Sequence, residues 1–197
     1  MQYIRHRVND LTGLSQMDPG DGVEVDLRAD PSRPGGLYVA HDPWTNGPDF
    51  EAWLEQFVAR GIRGPLLLNT KEDGLEERLA QLCQSQGLKS YYFLDTPIPT
   101  LVKGIKAGYG RQFLVRYSRF EPVEAVLKFE GQVDWVWADC FFGDPPPVKD
   151  IEALKKVFKI CLVSPELHGE PVSRVNDFRE LLGLADAVCT KNPSAWK

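Results

Sequence analysis

The sequence is poor in cysteine and has no excess of basic residues. Four cysteines occur in 197 residues and none lies in a Cys-x-x-Cys pair, which argues against a disulfide scaffold and predicts free thiols in the core. The 23 Lys and Arg residues stand against 28 Asp and Glu, a formal net charge of −5. A nucleic-acid-binding surface would need a basic stripe, so we expect no nucleic acid and a small-molecule partner instead.

Long apolar runs are also absent. No stretch of 18 apolar residues occurs, and the opening residues MQYIRHRVND carry charge without the apolar region of a secretory signal. We therefore predict no transmembrane segment and a cytoplasmic location. The chain also lacks a linker, a charge block or a low-complexity run, so we predict a single domain over residues 1–197.

Short apolar runs alternate with amphipathic segments from one end of the chain to the other. The apolar runs predict eight strands, at residues 2–6, 23–27, 65–68, 91–94, 113–115, 135–137, 160–163 and 187–189. The segments between them repeat apolar residues at helical spacing, as Val172, Val175, Phe178 and Leu182 do. This order is typical of a parallel sheet wrapped by helices.

Eight strands with intervening helices predict an α/β fold, a (β/α)8 TIM barrel. At 197 residues the barrel must be trimmed, because such folds typically take roughly 250 residues. We expect the shortening in the first crossover, since the segment from His6 to Val23 has no helical periodicity and predicts a loop or a single turn. A further run, Leu37 to Ala40, predicts a hairpin arm after the second strand.

Polar side chains concentrate where the predicted strands end, which is where barrels of this kind carry their chemistry. Glu24 and Asp26 form one pair two residues apart, and Asn69 and Lys71 form another. Alternation along a strand aims both members of such a pair to the same face. Other polar residues at strand ends are His6, His41, Arg116, Asp139, Ser164, Glu166, His168 and Lys191. We therefore predict a functional pocket at this rim.

Four short motifs follow one another within residues 6–71: His6-Arg7, Glu24-x-Asp26, His41-Asp42 and Asn69-x-Lys71. In order and spacing they resemble the glycerophosphodiester phosphodiesterase family of the PLC-like phosphodiesterase superfamily, as a divergent short member. The resemblance implies that His6 and His41 are the acid/base pair and that Lys71, in the same catalytic set, contacts the phosphate with Arg7. It also implies that Glu24, Asp26 and Asn69 hold a divalent metal, Mg2+ or Ca2+.

Such a residue set suits the chemistry of a phosphodiester. The anionic substrate needs positive charge on its oxygens and a proton for the departing alkoxide. Carboxylates are hard oxygen ligands for Mg2+ or Ca2+, and two imidazoles can take and give the proton. The predicted substrate contacts at the same rim are Arg116, Glu166, His168 and Lys191.

Two positions depart from the family pattern. Val8 stands where the family has glycine, and Asn69 stands where it has a third metal-binding carboxylate. An amide oxygen can still bind Mg2+ or Ca2+, but the site carries one negative charge fewer. Compensation could come from Asp42, Glu72 or Asp139.

The leading hypothesis is a metal-dependent phosphodiesterase, a phosphoric diester hydrolase, that cleaves a small or lipid-derived glycerophosphodiester by His acid/base catalysis. The alternative is a catalytically decayed barrel that binds a phosphorylated small molecule without cleaving it. A third hypothesis is a different barrel enzyme that uses Lys71 or Lys191 as a base or Schiff-base amine. Trp44, in the loop after His41 and Asp42, is a candidate lid or platform for substrate.

Overall fold

Nine strands and six α-helices alternate along the residues that this computed structural model describes, 1–33 and 35–197. The strands are β1 (Gln2–Arg5), β2 (Gly22–Ala29), β3 (Leu37–Val39), β4 (Leu66–Thr70), β5 (Tyr91–Leu94), β6 (Leu114–Tyr117), β7 (Trp135–Ala138), β8 (Lys159–Val163) and β9 (Ala187–Thr190). The α-helices are α1 (Leu11–Ser15), α2 (Phe50–Ala59), α3 (Glu76–Ser85), α4 (Ile98–Lys106), α5 (Val123–Val126) and α6 (Val148–Lys155). Short 3₁₀ segments lie at Gly110–Gln112, Leu127–Phe129, Pro165–His168, Val172–Leu181 and Pro193–Trp196.

Contacts divide the chain into two compact units. The first unit is Arg7–Leu101, and the second unit is Met1–His6 together with Val102–Lys197. In the first unit β2 pairs in parallel with β4, and β4 with β5, while β3 lies antiparallel to β2 as the predicted hairpin arm. In the second unit the strand order is β1-β9-β8-β7-β6, and every pairing is parallel.

Eight parallel strands with helices between them give the strand–helix order of a (β/α)8 barrel, so the predicted fold class is confirmed. The predicted strands are all present in the described residues, with ends that differ by two residues or fewer. The first crossover is shortened, as expected. It contains only α1, a helix of 5 residues whose first turn is capped by the Asp10 carboxylate, which accepts from Gly13 N at 2.7 Å.

Strand β2 carries apolar and acidic side chains on alternate positions. Val23, Val25 and Leu27 are fully buried, and so are Glu24 and Asp26 between them. Because alternate side chains of a strand point to opposite faces, the two carboxylates share one face and the three apolar side chains share the other. The apolar face contributes to the core, and the acidic face forms the base of a polar site.

Helix α2 fixes the segment that precedes β2. The helix begins after Asp49, whose carboxylate accepts hydrogen bonds from the first backbone N–H groups of the helix. Its buried face includes Trp53 and Phe57, with stacked rings 5.6 Å apart. The Trp53 indole N–H donates to the Val8 carbonyl at 3.0 Å. This bond holds Val8 in place, and with it the neighbouring residues Arg7 and Asn9.

The last predicted helix has a different geometry from an α-helix. Residues Val172–Leu181 form a 3₁₀ helix. A 3₁₀ helix completes a turn in three residues, so the apolar residues at every third position, Val175, Phe178 and Leu181, lie buried on one side. The sequence spacing predicts Leu182 as the last apolar position of this helix, whereas the buried residue at that position is Leu181.

All four cysteines are buried thiols in the described structure, which confirms the prediction of core cysteines. None of the helices in the described residues combines the length and the apolar character that crossing a bilayer requires.

Candidate active site

Two buried carboxylates lie at the centre of the polar site in the first unit. Glu24 and Asp26 share one face of β2, and water reaches neither of them. The pKa of Glu24 is raised to about 7, mainly by burial and secondly by the nearby charge of Asp26. Such a pair of adjacent acids is stabilised by donors and cations, and the surrounding residues provide both.

Glu24 accepts hydrogen bonds from two neighbouring segments. The Arg7 backbone N–H donates to Oε2 at 2.7 Å, and the Asn69 side-chain amide donates to Oε1 at 2.9 Å. Asn69 reaches Glu24 because β2 and β4 pair in a register that sets Asp26 opposite Asn69. The backbone of Arg7 can turn toward the carboxylate because it adopts a left-handed conformation, with φ of 53°.

Asp26 has two cations and one amide around it. The Lys71 ammonium lies 2.8 Å from Oδ1, and the Arg7 guanidinium Nε lies 3.7 Å from Oδ2. Asn9 makes a reciprocal contact, donating its amide to Asp26 Oδ2 at 2.7 Å and accepting from Asp26 N at 3.0 Å. Lys71 and Asp26 were predicted site residues, whereas no motif in the sequence pointed to Asn9.

His41 is held in a defined orientation between an acid and a guanidinium. Its Nδ1 lies 2.8 Å from Asp42 Oδ1, and the Arg7 guanidinium contacts its Nε2. A guanidinium can only donate, so Nε2 is the acceptor and Nδ1 carries the proton donated to Asp42. The hydrogen bond from His41 is the main cause that lowers the pKa of Asp42. The half-exposed imidazole therefore has a fixed orientation.

Arg28 secures the backbone beneath this imidazole. Its Nε and Nη2 donate to the His41 carbonyl at 3.2 and 2.8 Å, and its Nη1 lies 3.2 Å from Glu72 Oε1. Sequence reasoning missed Arg28, although it follows Asp26 by two residues on β2 and so lies on the same face. Of the residues considered as compensation for Asn69, Glu72 binds Arg28 and Asp42 binds His41.

The donor set fits the hard divalent ion that the resemblance implies. Glu24 and Asp26 supply buried carboxylate oxygens, and the Asn69 Oδ1 is a buried oxygen that has no hydrogen-bond partner in the described part of the chain. A buried polar atom without a partner is costly, and a cation between these three side chains would remove that cost. Oxygen ligands of this kind suit Mg2+ or Ca2+.

The second unit holds another polar cluster, around Asp139. The Asp139 carboxylate contacts the Arg116 guanidinium, accepts from the Trp137 indole at 3.2 Å, and lies 2.7 Å from His168 Nε2. Near it, the Glu166 carboxylate accepts from Lys191 N at 3.1 Å.

The predicted site residues therefore fall into two groups. The structure brings together, in the first unit, Arg7, Glu24, Asp26, His41, Asn69 and Lys71. It places in the second unit His6, Arg116, Glu166, His168 and Lys191. His6 lies one residue beyond β1, where its backbone N–H donates to Thr190 O at 3.3 Å. Trp44, predicted as a lid or platform, is 99% exposed and has φ of 66°.

Comparison with solved structures gives matches over nearly the whole chain. A glycerophosphodiester phosphodiesterase from Agrobacterium tumefaciens str. C58 matches with a TM-score of 0.71 and 15% identity, covering 100% of this chain and 97% of that one. A glycerophosphoryl diester phosphodiesterase from Parabacteroides distasonis ATCC 8503 matches with a TM-score of 0.68 and 14% identity, covering 99% and 84%. The chain has the glycerophosphodiester phosphodiesterase fold.

That fold confirms the resemblance seen in the sequence motifs. A tryptophan synthase from M. tuberculosis also matches, at 14% identity and a lower TM-score of 0.54, covering 95% of this chain and 81% of that one. No family model and no curated protein sequence matches the chain. Structural likeness at these identities establishes the glycerophosphodiester phosphodiesterase fold.

Proposed function

We propose that this protein is a metal-dependent phosphodiesterase that hydrolyses a small or lipid-derived glycerophosphodiester. The observation that carries the proposal is the arrangement in the first unit. There, buried acids on β2, an amide oxygen on β4, two cations and a positioned imidazole surround one site. Carboxylates alone would suit a simple cation-binding site. Cationic side chains and an imidazole beside the carboxylates suit an anionic substrate whose reaction requires proton transfer.

Glu24, Asp26 and Asn69 would hold the ion, Mg2+ or Ca2+, through oxygen atoms. When bound, the ion would neutralise charge on the phosphate oxygens and favour the developing negative charge of the transition state. The pKa of Glu24 is raised to about 7 first by burial and then by the charge of Asp26, and an ion bound between the two acids would favour their charged forms.

Arg7 and Lys71 would bind the phosphate through fixed positive charge. Both now contact Asp26, and both remain reachable, with 40% and 16% of their side chains exposed. Arg7 also contacts His41, so a phosphate bound by Arg7 would lie beside the imidazole. His41 would accept a proton at Nε2, and Asp42 would hold the tautomer and stabilise the imidazolium.

His6 is proposed as the second imidazole, which gives a proton to the leaving alkoxide. This role comes from the sequence resemblance, in which His6 directly precedes Arg7. The proposed substrate contacts in the second unit are Arg116, Glu166, His168 and Lys191.

The alternative of a Schiff-base enzyme finds less support at Lys71. Its ammonium forms an ion pair with Asp26 at 2.8 Å, whereas Schiff-base formation needs a neutral amine. Binding without cleavage is the other alternative, and the loss of one carboxylate at Asn69 favours it.

The test is turnover of glycerophosphocholine and of a chromogenic phosphodiester with Mg2+, Ca2+ or Mn2+ added after chelation. We expect metal-dependent release of product, and a loss of about 10²- to 10⁴-fold in His41→Ala. Lys71→Met should lose turnover as well, while Lys103→Met, on the last turn of α4, should keep it. Phosphodiester binding by calorimetry without product under any of these metals would establish the binding protein and overturn the proposal.

A further inference from the structure

A set of possible metal ligands of a different chemical kind lies in the second unit. A carboxylate oxygen of Asp139, the Cys140 sulfur and a ring nitrogen of His168 all lie within 4.8 Å of one another. We propose that Asp139, Cys140 and His168 form a binding site for a transition metal ion of the zinc class. None of the three residues belongs to the metal-binding set of the first unit, and His168 alone is also among the substrate contacts proposed for the second unit.

Strand pairing determines the positions of the three ligands. Asp139 and Cys140 directly follow β7, and His168 ends the 3₁₀ segment after β8. Strands β7 and β8 pair in parallel, and the Cys140 sulfur lies 3.3 Å from the Val163 carbonyl at the end of β8. The site therefore rests on paired backbone and not on a long loop.

The donor atoms select the class of metal. One sulfur, one imidazole nitrogen and one carboxylate oxygen are ligands that suit Zn2+ and its neighbours, whereas Mg2+ and Ca2+ take oxygen. Zinc bond lengths place the ligand atoms of a tetrahedral site roughly 3.3–3.8 Å apart. The three ligand atoms lie within 4.8 Å of one another, and Asp139 Oδ1 lies 2.7 Å from His168 Nε2. The widest separation must therefore shrink and this short one must widen, each by about 1 Å or less, which side-chain rotation can supply.

The surroundings orient Asp139 as metal-binding carboxylates usually are. Its Oδ2 accepts from the Trp137 indole at 3.2 Å and contacts Arg116, which leaves Oδ1 directed at His168 Nε2, 2.7 Å away. Hydrogen bonds to the second oxygen of a ligating carboxylate fix the first. A metal ion would replace the proton between Oδ1 and Nε2, and the imidazole proton would then reside on Nδ1.

Binding must also release the proton of the thiol. Burial, with a smaller contribution from the charge of Asp139, raises the pKa of Cys140 to about 12, so the thiol is protonated without a metal. Metal affinity at such a site increases with pH, because thiolate is the ligand.

A cavity gives the site access to solvent. It has a volume of about 480 Å³, and Asp139, Cys140 and Phe141 are among the residues that line it. His168 is partly exposed, with 22% of its side chain accessible, and Phe141 lies edge-on to its ring at 5.6 Å. Three protein ligands beside an open cavity leave a fourth position for water, as in zinc sites that are not purely structural.

The experiment uses the full chain, stripped of metal by chelation and titrated with Co2+ as a spectroscopic substitute for Zn2+. We expect one sulfur-ligated Co2+ per chain, seen as a sulfur-to-cobalt charge-transfer band, and displacement of that Co2+ by Zn2+. Cys140→Ser should abolish the band, and the matched change Cys83→Ser, at a buried cysteine of α3, should preserve it.

His168→Gln provides a second test, since this partly exposed side chain can be changed with little effect on folding. It should weaken Zn2+ binding by more than the roughly 10- to 100-fold that losing an outer-shell partner costs. Co2+ held by Glu24 and Asp26 would give no sulfur band, so the two sites are distinguished. Absence of the band in the wild type, or its persistence in folded Cys140→Ser, would overturn the proposal.

Discussion

The two polar clusters occupy the same kind of position, on parallel strands or just after them, but they are built from different donors. In the first unit the carboxylate of Asp26 has an amide N–H, an ammonium and a guanidinium around it, with the carboxylate of Glu24 nearby. In the second unit the carboxylate of Asp139 has an imidazole, a guanidinium, an indole and a neighbouring thiol around it. Parallel strands and the residues that follow them determine where a polar site can be placed, while individual side chains determine which ion or substrate that site suits.

The largest expected difference between the clusters is the pH dependence of stability. The pKa of Glu24 is raised to about 7 by burial and the charge of Asp26, so this acid ionises more readily in the unfolded chain. Its contribution therefore lowers stability as pH rises from about 4.5 to 7, by about 2–3 kcal/mol. In chelated buffer, Glu24→Gln should remove this loss when urea unfolding is compared at pH 5 and pH 8.

The structure gives a reason why Glu24→Gln should fold. The Asn69 amide can turn so that its Oδ1, now without a partner in the described residues, accepts from the new glutamine. Glu124→Gln, at an exposed position on α5, is the matched control and should leave the pH dependence unchanged. Equal pH dependence in wild type and Glu24→Gln would contradict this account of the first cluster.

The two clusters should also differ in which metal ion each of them binds. Ca2+ at about 10 times its dissociation constant should raise the free energy of unfolding by about 1.4 kcal/mol through the first cluster. Asn69→Asp should tighten Ca2+ binding by adding a charged oxygen, and Asn69→Leu should weaken it, as measured by calorimetry. Cys140→Ser should leave the Ca2+ response as it is, and a changed response there would break the distinction drawn between the clusters.

The smallest expected effect concerns two tryptophans that donate to the two regions. Trp53 donates to the neutral carbonyl of Val8 at 3.0 Å, and Trp137 donates to the carboxylate of Asp139 at 3.2 Å. A bond to a neutral group contributes about 1 kcal/mol and a bond to a charged group about 2 kcal/mol. Trp137→Phe should therefore destabilise the chain by about 1 kcal/mol more than Trp53→Phe in urea unfolding, and the reverse order would contradict this reading.

Most of the fold could be predicted from the sequence, because the alternation of side chains along a strand determines both the sequence pattern and which side chains are buried. The alternation of Val23, Val25 and Leu27 with Glu24 and Asp26 predicted both the strand and its polar face. The prediction for Val172–Leu181 was less accurate. Apolar residues recur every three residues on a 3₁₀ helix and every three to four on an α-helix, and these two patterns differ little over ten residues.

The site was readable where its residues form motifs along the chain, and not where contacts depend on tertiary structure. Arg7, Asp26, His41 and Lys71 could be predicted together because each belongs to a short motif. The contact between Asn9 and Asp26 joins a loop to a strand 17 positions away, so no local sequence pattern predicts it.

The exposed indole of Trp44 offers a direct optical measure of events beside His41. Trp44 is 99% exposed, whereas Trp53, Trp137 and Trp196 are buried at 5% exposure or less. Its emission should be that of a water-exposed fluorophore and should be quenched by acrylamide before that of the buried tryptophans. A ligand that binds at Asp42 and also contacts this indole would shield it, so such binding could be followed without a label and without turnover.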